Sequence, residues 1–197
     1  SSSSRARAGS RGYSLSSPAN RSGDLTDHAA LMSADLDGDG YQDLMVGVAE
    51  ADYAAHDSGG VYVYRGGEGG LSESPERVFA TDDQSVRAGT ALAVGDFDAD
   101  GHGDLAIGVP RADPGVADGG AVRVHRGLAD GLPEETPTKV LGGLFSRDEL
   151  GRALVACDFN ADGVDDLVAV AQQGENRALL KPFNDQGAIY LFLGQPE

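Results

Sequence analysis

The sequence predicts an all-β fold made of repeated sheets of short strands, and three observations lead there. An acidic loop occurs three times, starting at Asp35, Asp96 and Asp158, at intervals of 61 and 62 residues. Short runs of β-branched and aromatic residues, bounded by glycine, follow each copy at a similar distance. No segment carries a long 3.6-residue apolar period, so little helix is expected.

Each repeat has the same order of parts. A short apolar run comes first: Ala30-Leu31-Met32, Ala91-Leu92-Ala93-Val94 and Ala153-Leu154-Val155-Ala156. The acidic loop follows, and after it a second apolar run, Leu44–Val48, Leu105–Val109 or Leu167–Val170. A polar stretch then leads to Gly59–Gly66, Gly119–Gly127 or Gln186–Gly194, whose alternating apolar residues between glycines read as a third strand. A weaker fourth run, Glu76–Ala80 or Thr138–Leu141, comes just after Pro75 or Pro137. Proline there suits an edge strand, where a missing N–H is tolerated. Counting backwards, Tyr13–Ser17 takes the place of this fourth strand, while the last repeat stops at its third. The N-terminus is therefore expected to supply what the C-terminus lacks. The repeats divide at about 13–74, 75–136 and 137–197, after a disordered Ser/Arg-rich tail at 1–12.

The loop carries the chemistry. Its side-chain oxygens fall at positions 1, 3, 5 and 9, with glycine at position 6. The first copy offers Asp35, Asp37, Asp39 and Asp43, and the second Asp96, Asp98, Asp100 and Asp104. The third offers Asp158, Asn160, Asp162 and Asp166. Hard anionic ligands directed at one point by a tight turn predict Ca²⁺, in three sites; Mg²⁺ demands a smaller octahedron and is the weaker candidate. The position-7 residues Tyr41, His102 and Val164 are expected to contribute a backbone carbonyl. An EF-hand begins the same way but needs a bidentate Glu at position 12 and flanking helices. Position 12 is Val46, Ile107 or Ala169, and strands flank each loop, so the EF-hand reading fails.

Asp-Phe-(Asp/Asn)-Ala-Asp-Gly-x-x-Asp-Leu, an apolar strand, then Gly-(Val/Ala) with alternating apolar residues, resembles the FG-GAP repeat of integrin α-subunit β-propellers. The second copy matches best, with Ala88-Gly89 where the family has Phe-Gly and Gly108-Val109-Pro110 where it has Gly-Ala-Pro. The third has Leu150-Gly151 and Ala169-Val170-Ala171; the first departs at Asp27-His28. The resemblance implies β-propeller-like blades with calcium-binding hairpin loops. It also implies a noncatalytic, secreted or cell-surface module for recognition or adhesion, its ligand a protein, glycan or small molecule. Propellers run from about four to eight blades, so three repeats are part of a larger ring, completed by oligomerisation with a homodimer giving six repeats, or packed in some smaller arrangement. The alternative is an enzyme or enzyme-associated domain, a hydrolase or biosynthetic catalyst, with structural calcium and an active site on the central face; some secreted phospholipases carry similar repeats.

Composition narrows the partners. The net charge is −17, and residues 1–21 hold four arginines and no acid, so the repeats carry all of the excess. Such a surface repels nucleic acid and anionic membranes. No run of apolar residues is long enough to span a bilayer, and no export signal is legible. Cys157 is alone, which precludes an intramolecular disulfide; it fills a slot for a small residue held elsewhere by Ala34 and Gly95. No nucleophile elbow, zinc motif or phosphate loop is present. His28 and His56 flank Asp27 and Asp57 without a nucleophile, and His125 is expected at an exposed strand position. The stretches 50–58, 111–118 and 172–186 join equivalent strands and are expected on one face, with Arg177 and Phe183 as partner-binding residues.

Overall fold

Alternating apolar residues on both sides of a turn favour an antiparallel hairpin, and each repeat forms one. The computed structural model describes residues 29–52, 54–172 and 187–196, which contain eleven strands and no helix. The first repeat forms β1 (Ala29–Ala34), β2 (Asp43–Val48), β3 (Gly60–Tyr64) and β4 (Arg77–Ala80). The second forms β5 (Leu92–Gly95), β6 (Asp104–Val109), β7 (Ala121–His125) and β8 (Lys139–Gly142). The third forms β9 (Leu150–Cys157), β10 (Asp166–Ala171) and β11 (Ala188–Phe192). Within each sheet, strands adjacent in sequence pair antiparallel, giving β1-β2-β3-β4, β5-β6-β7-β8 and β9-β10-β11. These are three propeller-type blades in an unclosed array. The fourth strands β4 and β8 lie at sheet edges, as the prolines before them require. The expected strand at Tyr13–Ser17 and the tail at 1–12 lie outside the described residues.

The two-residue alternation of a strand decides which blade each side chain meets. Met45, Val61 and Val63 of the first blade pack with Leu105, Ile107 and Val109 of the second. Ala106, Val122 and Val124 on the opposite face of that second blade pack with Leu167, Ala169 and Ala171 of the third. Blade two is therefore apolar on both faces, and β6 is buried throughout. Burying each such side chain stabilises the fold by about 1.5–3 kcal/mol. Parallel bridges between Gly59 and Ala88, and between Gly120 and Leu150, tie each blade to the next.

Glycine permits the close approach. A methyl at Gly47 would run into the carbonyl of Gly89, and one at Gly108 into the carbonyl of Gly151. Gly89 and Gly151 themselves have φ of 87° and 100°, in the region that favours glycine. The residue equivalent to Gly47 and Gly108 in blade three is Val170. Blade three therefore carries a side chain where the first two blades have none. The outward face of blade three is uncovered among the described residues. Ile189 is 75% exposed and Leu191 53%, although their equivalents Val61, Val122, Val63 and Val124 are buried. Phe159 and Cys157 are exposed on the same blade, whereas Gly95, the counterpart of Cys157, lies against Ala156 and Asp165 of blade three.

His125 corrects an expectation: it is buried, not exposed. The adjoining blade covers it, with the Phe79 ring edge-on at 4.5 Å between centroids. Its Nδ1 lies 2.8 Å from the Glu134 carbonyl oxygen. Strand alternation showed which face His125 occupies, but not that another sheet lies over that face.

Gly108→Ala should destabilise the protein by about 1–3 kcal/mol through overpacking, and Val170→Ala by about 1 kcal/mol or less; urea denaturation of both variants checks the contrast. Burial holds the His125 imidazole below its ordinary value, against the favourable Glu134 carbonyl. The unfolded chain thus takes up this proton first, so stability is full above the ordinary value of 6.5 and falls as pH drops below it. His125→Phe should flatten the decline between pH 7 and pH 5 in the same denaturation experiment.

Candidate metal centre

The three acidic loops fold alike because alternate residues turn left-handed. Position 4 has φ of 70°, 60° and 62° at Gly38, Ala99 and Ala161, and position 6 has 89°, 86° and 90° at Gly40, Gly101 and Gly163. These turns aim backbone N–H groups at the side chains. The position-5 N–H donates to Oδ1 of position 1 at 3.1, 3.1 and 3.2 Å, and to Oδ1 of position 3 at 3.2, 3.2 and 2.8 Å. The position-6 N–H donates to Oδ2 of Asp35, Asp96 and Asp158 at 2.9, 3.0 and 2.9 Å. The N–H of Tyr41, His102 and Val164 donates to Oδ1 of Asp39, Asp100 and Asp162 at 2.8, 2.8 and 3.0 Å. Each carboxylate is thus orientated by main chain while keeping lone pairs for a further partner.

The geometry gathers three of the four predicted side chains in each of the first two loops, leaving Asp43 and Asp100 outside these clusters. Carboxylate oxygens of Asp35, Asp37 and Asp39 lie within 4.8 Å of one another, as do those of Asp96, Asp98 and Asp104. The third loop repeats the turn with the Asn160 amide at position 3, where its Oδ1 takes the Asp162 N–H. All donors are oxygen and most are anionic, so the set fits a hard divalent cation and offers nothing that favours a softer one.

Position 9 does something that its loop spacing does not reveal. Asp43, Asp104 and Asp166 are nearly inaccessible, at 3%, 2% and 0% exposure. Oδ2 of each accepts the position-2 N–H of its own loop, from Leu36, Phe97 and Phe159 at 2.9, 3.0 and 3.1 Å. Oδ1 accepts the N–H of Gly66, Gly127 and Gly194, just past the third strand, at 2.8, 2.8 and 3.0 Å. One buried carboxylate therefore joins the turn to the end of the third strand. Burial pushes the Asp104 carboxyl up to about 6, against those two donors, and Asp98 and Asp100 push the same way. Burial likewise raises Asp43, with Asp37 adding to the effect. A cation at the loop would reverse that push.

The sequence reading missed two arginines. Arg65 Nη1 lies 2.6 Å from Asp37 Oδ2, and its Nε lies 3.2 Å from Glu76. Arg126 Nε lies 3.1 Å from Asp98 Oδ2, and its Nη2 3.0 Å from Asp100 Oδ2. Burial pushes the Asp100 carboxyl upward, but the His102 N–H and Arg126 outweigh it and hold it below the usual carboxylate range. The only signal in the sequence was an Arg-Gly pair closing the third strand in two of the three repeats.

Other candidates resolve into structure. Asp52, His56 and Asp57 cluster, but Asp52 Oδ1 caps the turn through the Asp57 N–H at 2.8 Å, and Asp113 does the same for Asp118 at 2.6 Å with no histidine. The stretches 50–58 and 111–118 join the second and third strands, at the end of the blades away from the acidic loops. There they bond the segment entering the next blade, through pairs such as Arg87 N–H to the Asp57 carbonyl and Glu149 N–H to the Asp118 carbonyl. Arg177 and Phe183 lie outside the described residues. No described helix is long and apolar enough to cross a membrane.

Known proteins share this pattern. The FG-GAP repeat model matches three times, at residues 29–64, 88–125 and 150–192, each match running from the first strand through the acidic loop to the third. The chain is 34% identical over 168 residues to phosphatidylinositol-glycan-specific phospholipase D of Rattus norvegicus, a match covering 81% of this chain and 19% of that protein. It is 31% identical over 158 residues to integrin alpha-4 of Xenopus laevis, covering 78% of this chain and 15% of the relative. Against integrin alpha-6 of Homo sapiens it is 34% identical over 113 residues, 56% of this chain and 9% of that protein. The chain thus spans less than a fifth of these relatives' own length. With three matched repeats folded as three successive blades around one shared turn, the chain belongs to the FG-GAP repeat family.

Proposed function

We propose that this chain is a calcium-stabilised, noncatalytic recognition or adhesion module that works outside the cell or at its surface. The observation that carries the calcium reading is recurrence: the same turn, with the same main-chain donors to positions 1, 3 and 5, occurs in three loops 61 and 62 residues apart, and carboxylates converge in the first two. Asp35, Asp37, Asp39 and Asp43 would hold the first ion, and Asp96, Asp98, Asp100 and Asp104 the second. Asp158, Asn160, Asp162 and Asp166 would hold the third, with the carbonyls of Tyr41, His102 and Val164 completing the sets. Calcium supplies charge neutralisation here; Lewis-acid chemistry needs an open coordination position, which a protein-filled cage does not leave. Kinship with integrin alpha subunits supports the recognition role, and the stretches 50–58 and 111–118, remote from the metal loops, are where a partner would dock.

A second reading draws on the phospholipase relatives, which place similar repeats within an enzyme. Turnover of a phosphatidylinositol-glycan by this chain alone would displace the noncatalytic reading.

Calorimetric titration should find three Ca²⁺ per chain, and Ca²⁺ at a hundredfold over its Kd should stabilise the fold by about 2.7 kcal/mol per site. Asp100→Ala should lose one equivalent and melt lower in calcium. Three equivalents with no change in melting temperature would refute the assignment of the second loop, and no binding at all would refute the calcium reading.

A further inference from the structure

The three loops reach the same local charge by two different routes. In the first two, position 3 is an aspartate and the residue closing the third strand is an arginine: Asp37 with Arg65, Asp98 with Arg126. In the third, position 3 is Asn160 and the strand closes on Leu193. Counting the four ligand positions and that strand-end residue, each loop carries −3. Asp165, beside the third loop, is committed elsewhere, its Oδ2 accepting the Asp96 N–H of the second at 3.0 Å.

Between the second and third loops the hydrogen bonding compensates in the same way. Arg126 Nε donates to Oδ2 of Asp100 at 3.0 Å. In the third loop the Asn160 amide donates to Oδ2 of Asp162 at 2.9 Å, so the position-5 carboxylate again gains a donor. Only the source differs. In one case it is a guanidinium from across the blade, and in the other the loop's own side chain.

We propose that Arg65 and Arg126 are built-in counter-cations that hold the first two loops folded without metal and weaken their Ca²⁺ binding, while the third loop has no such competitor among the described residues. The guanidinium occupies Oδ2 of the same carboxylates and repels a divalent ion placed among them. It is one third exposed or less, at 29% for Arg65 and 33% for Arg126, so water screens it only in part. The planar fork of Arg126 reaches Asp98 and Asp100 at once and that of Arg65 reaches Asp37 and Glu76, a fixed geometry that a lysine ammonium on its flexible stem does not reproduce. The affinity part of this inference rests on the calcium reading; the metal-free part does not.

The test is a double-mutant cycle read in two ways. In EDTA, Arg126→Leu should lower the melting temperature by about 4 °C, because Asp98 and Asp100 lose their common partner. Adding Asp98→Asn, which copies the chemistry of the third loop, should recover at least half of that loss, and Arg126→Lys should recover less. In a Ca²⁺ titration followed by NMR at the Gly40, Gly101 and Gly163 amides, each of which reports its own loop, Arg126→Leu should tighten the second site about tenfold. Leu193→Arg, at an exposed position and therefore safe for folding, should weaken the third site by a similar factor. Affinities unchanged within about twofold in both variants, or no recovery by Asp98→Asn in EDTA, would overturn the proposal. If no loop binds calcium, the functional reading falls while the EDTA cycle still decides the pairing.

Discussion

A carboxylate at position 9 of each loop bonds two backbone N–H groups that are far apart in sequence, one at the start of the turn and one past the end of the third strand. The geometry of the blade follows from that bridge. It fixes where β3, β7 and β11 end relative to the hairpins beside them, and so brings Arg65 and Arg126 to the loops. Removing one partner of a buried hydrogen-bonded carboxylate is costly, because the charge stays behind without compensation. The aspartate is therefore a strut of the blade. Burial leaves Asp104 raised to about 6 despite two donors, so the metal-free loop holds negative charge at a cost.

Packing between blades depends on a second constraint, the distance of backbone approach. Gly47 and Gly108 let one blade meet the glycine turn that opens the next. That closeness lets Met45, Val61 and Val63, and then Ala106, Val122 and Val124, interdigitate with the following sheet. Val170 and the exposed row of Ile189 and Leu191 mark where this scheme stops among the described residues. The same alternation that buries a residue in blade two exposes its equivalent in blade three, since burial requires a sheet on the other side.

Acidity and architecture are connected at one end of the blades. Ligand aspartates make up a large share of the 32 acidic residues and are concentrated at the hairpin turns, where the fold supplies main-chain donors and arginines to offset them. The opposite end is built from caps such as Asp52 and Asp113 and from bonds to the next blade. The acidic turns and the capped turns thereby lie at opposite ends of the blades.

Much of this was legible from residue order. Loop positions 1, 3, 5 and 9, glycine at 6, the two flanking strands and the edge strand after proline all depend on contacts between near neighbours, and local rules describe those. The loop spacing implied four equivalent side chains; the structure gives Asp104 a further task, a buried bridge to the third strand, while keeping it within 4.8 Å of Asp96 and Asp98. It also buries His125 under Phe79, exposes Cys157 where Gly95 is enclosed, and adds Arg65 and Arg126 to the sites. By itself the sequence determined the repeat, the hairpins and the acidic turns, because these arise from backbone conformation within about ten residues. Only the tertiary structure decided which faces are covered and which cations meet which carboxylates, because those depend on a neighbouring strand or blade that no local pattern encodes.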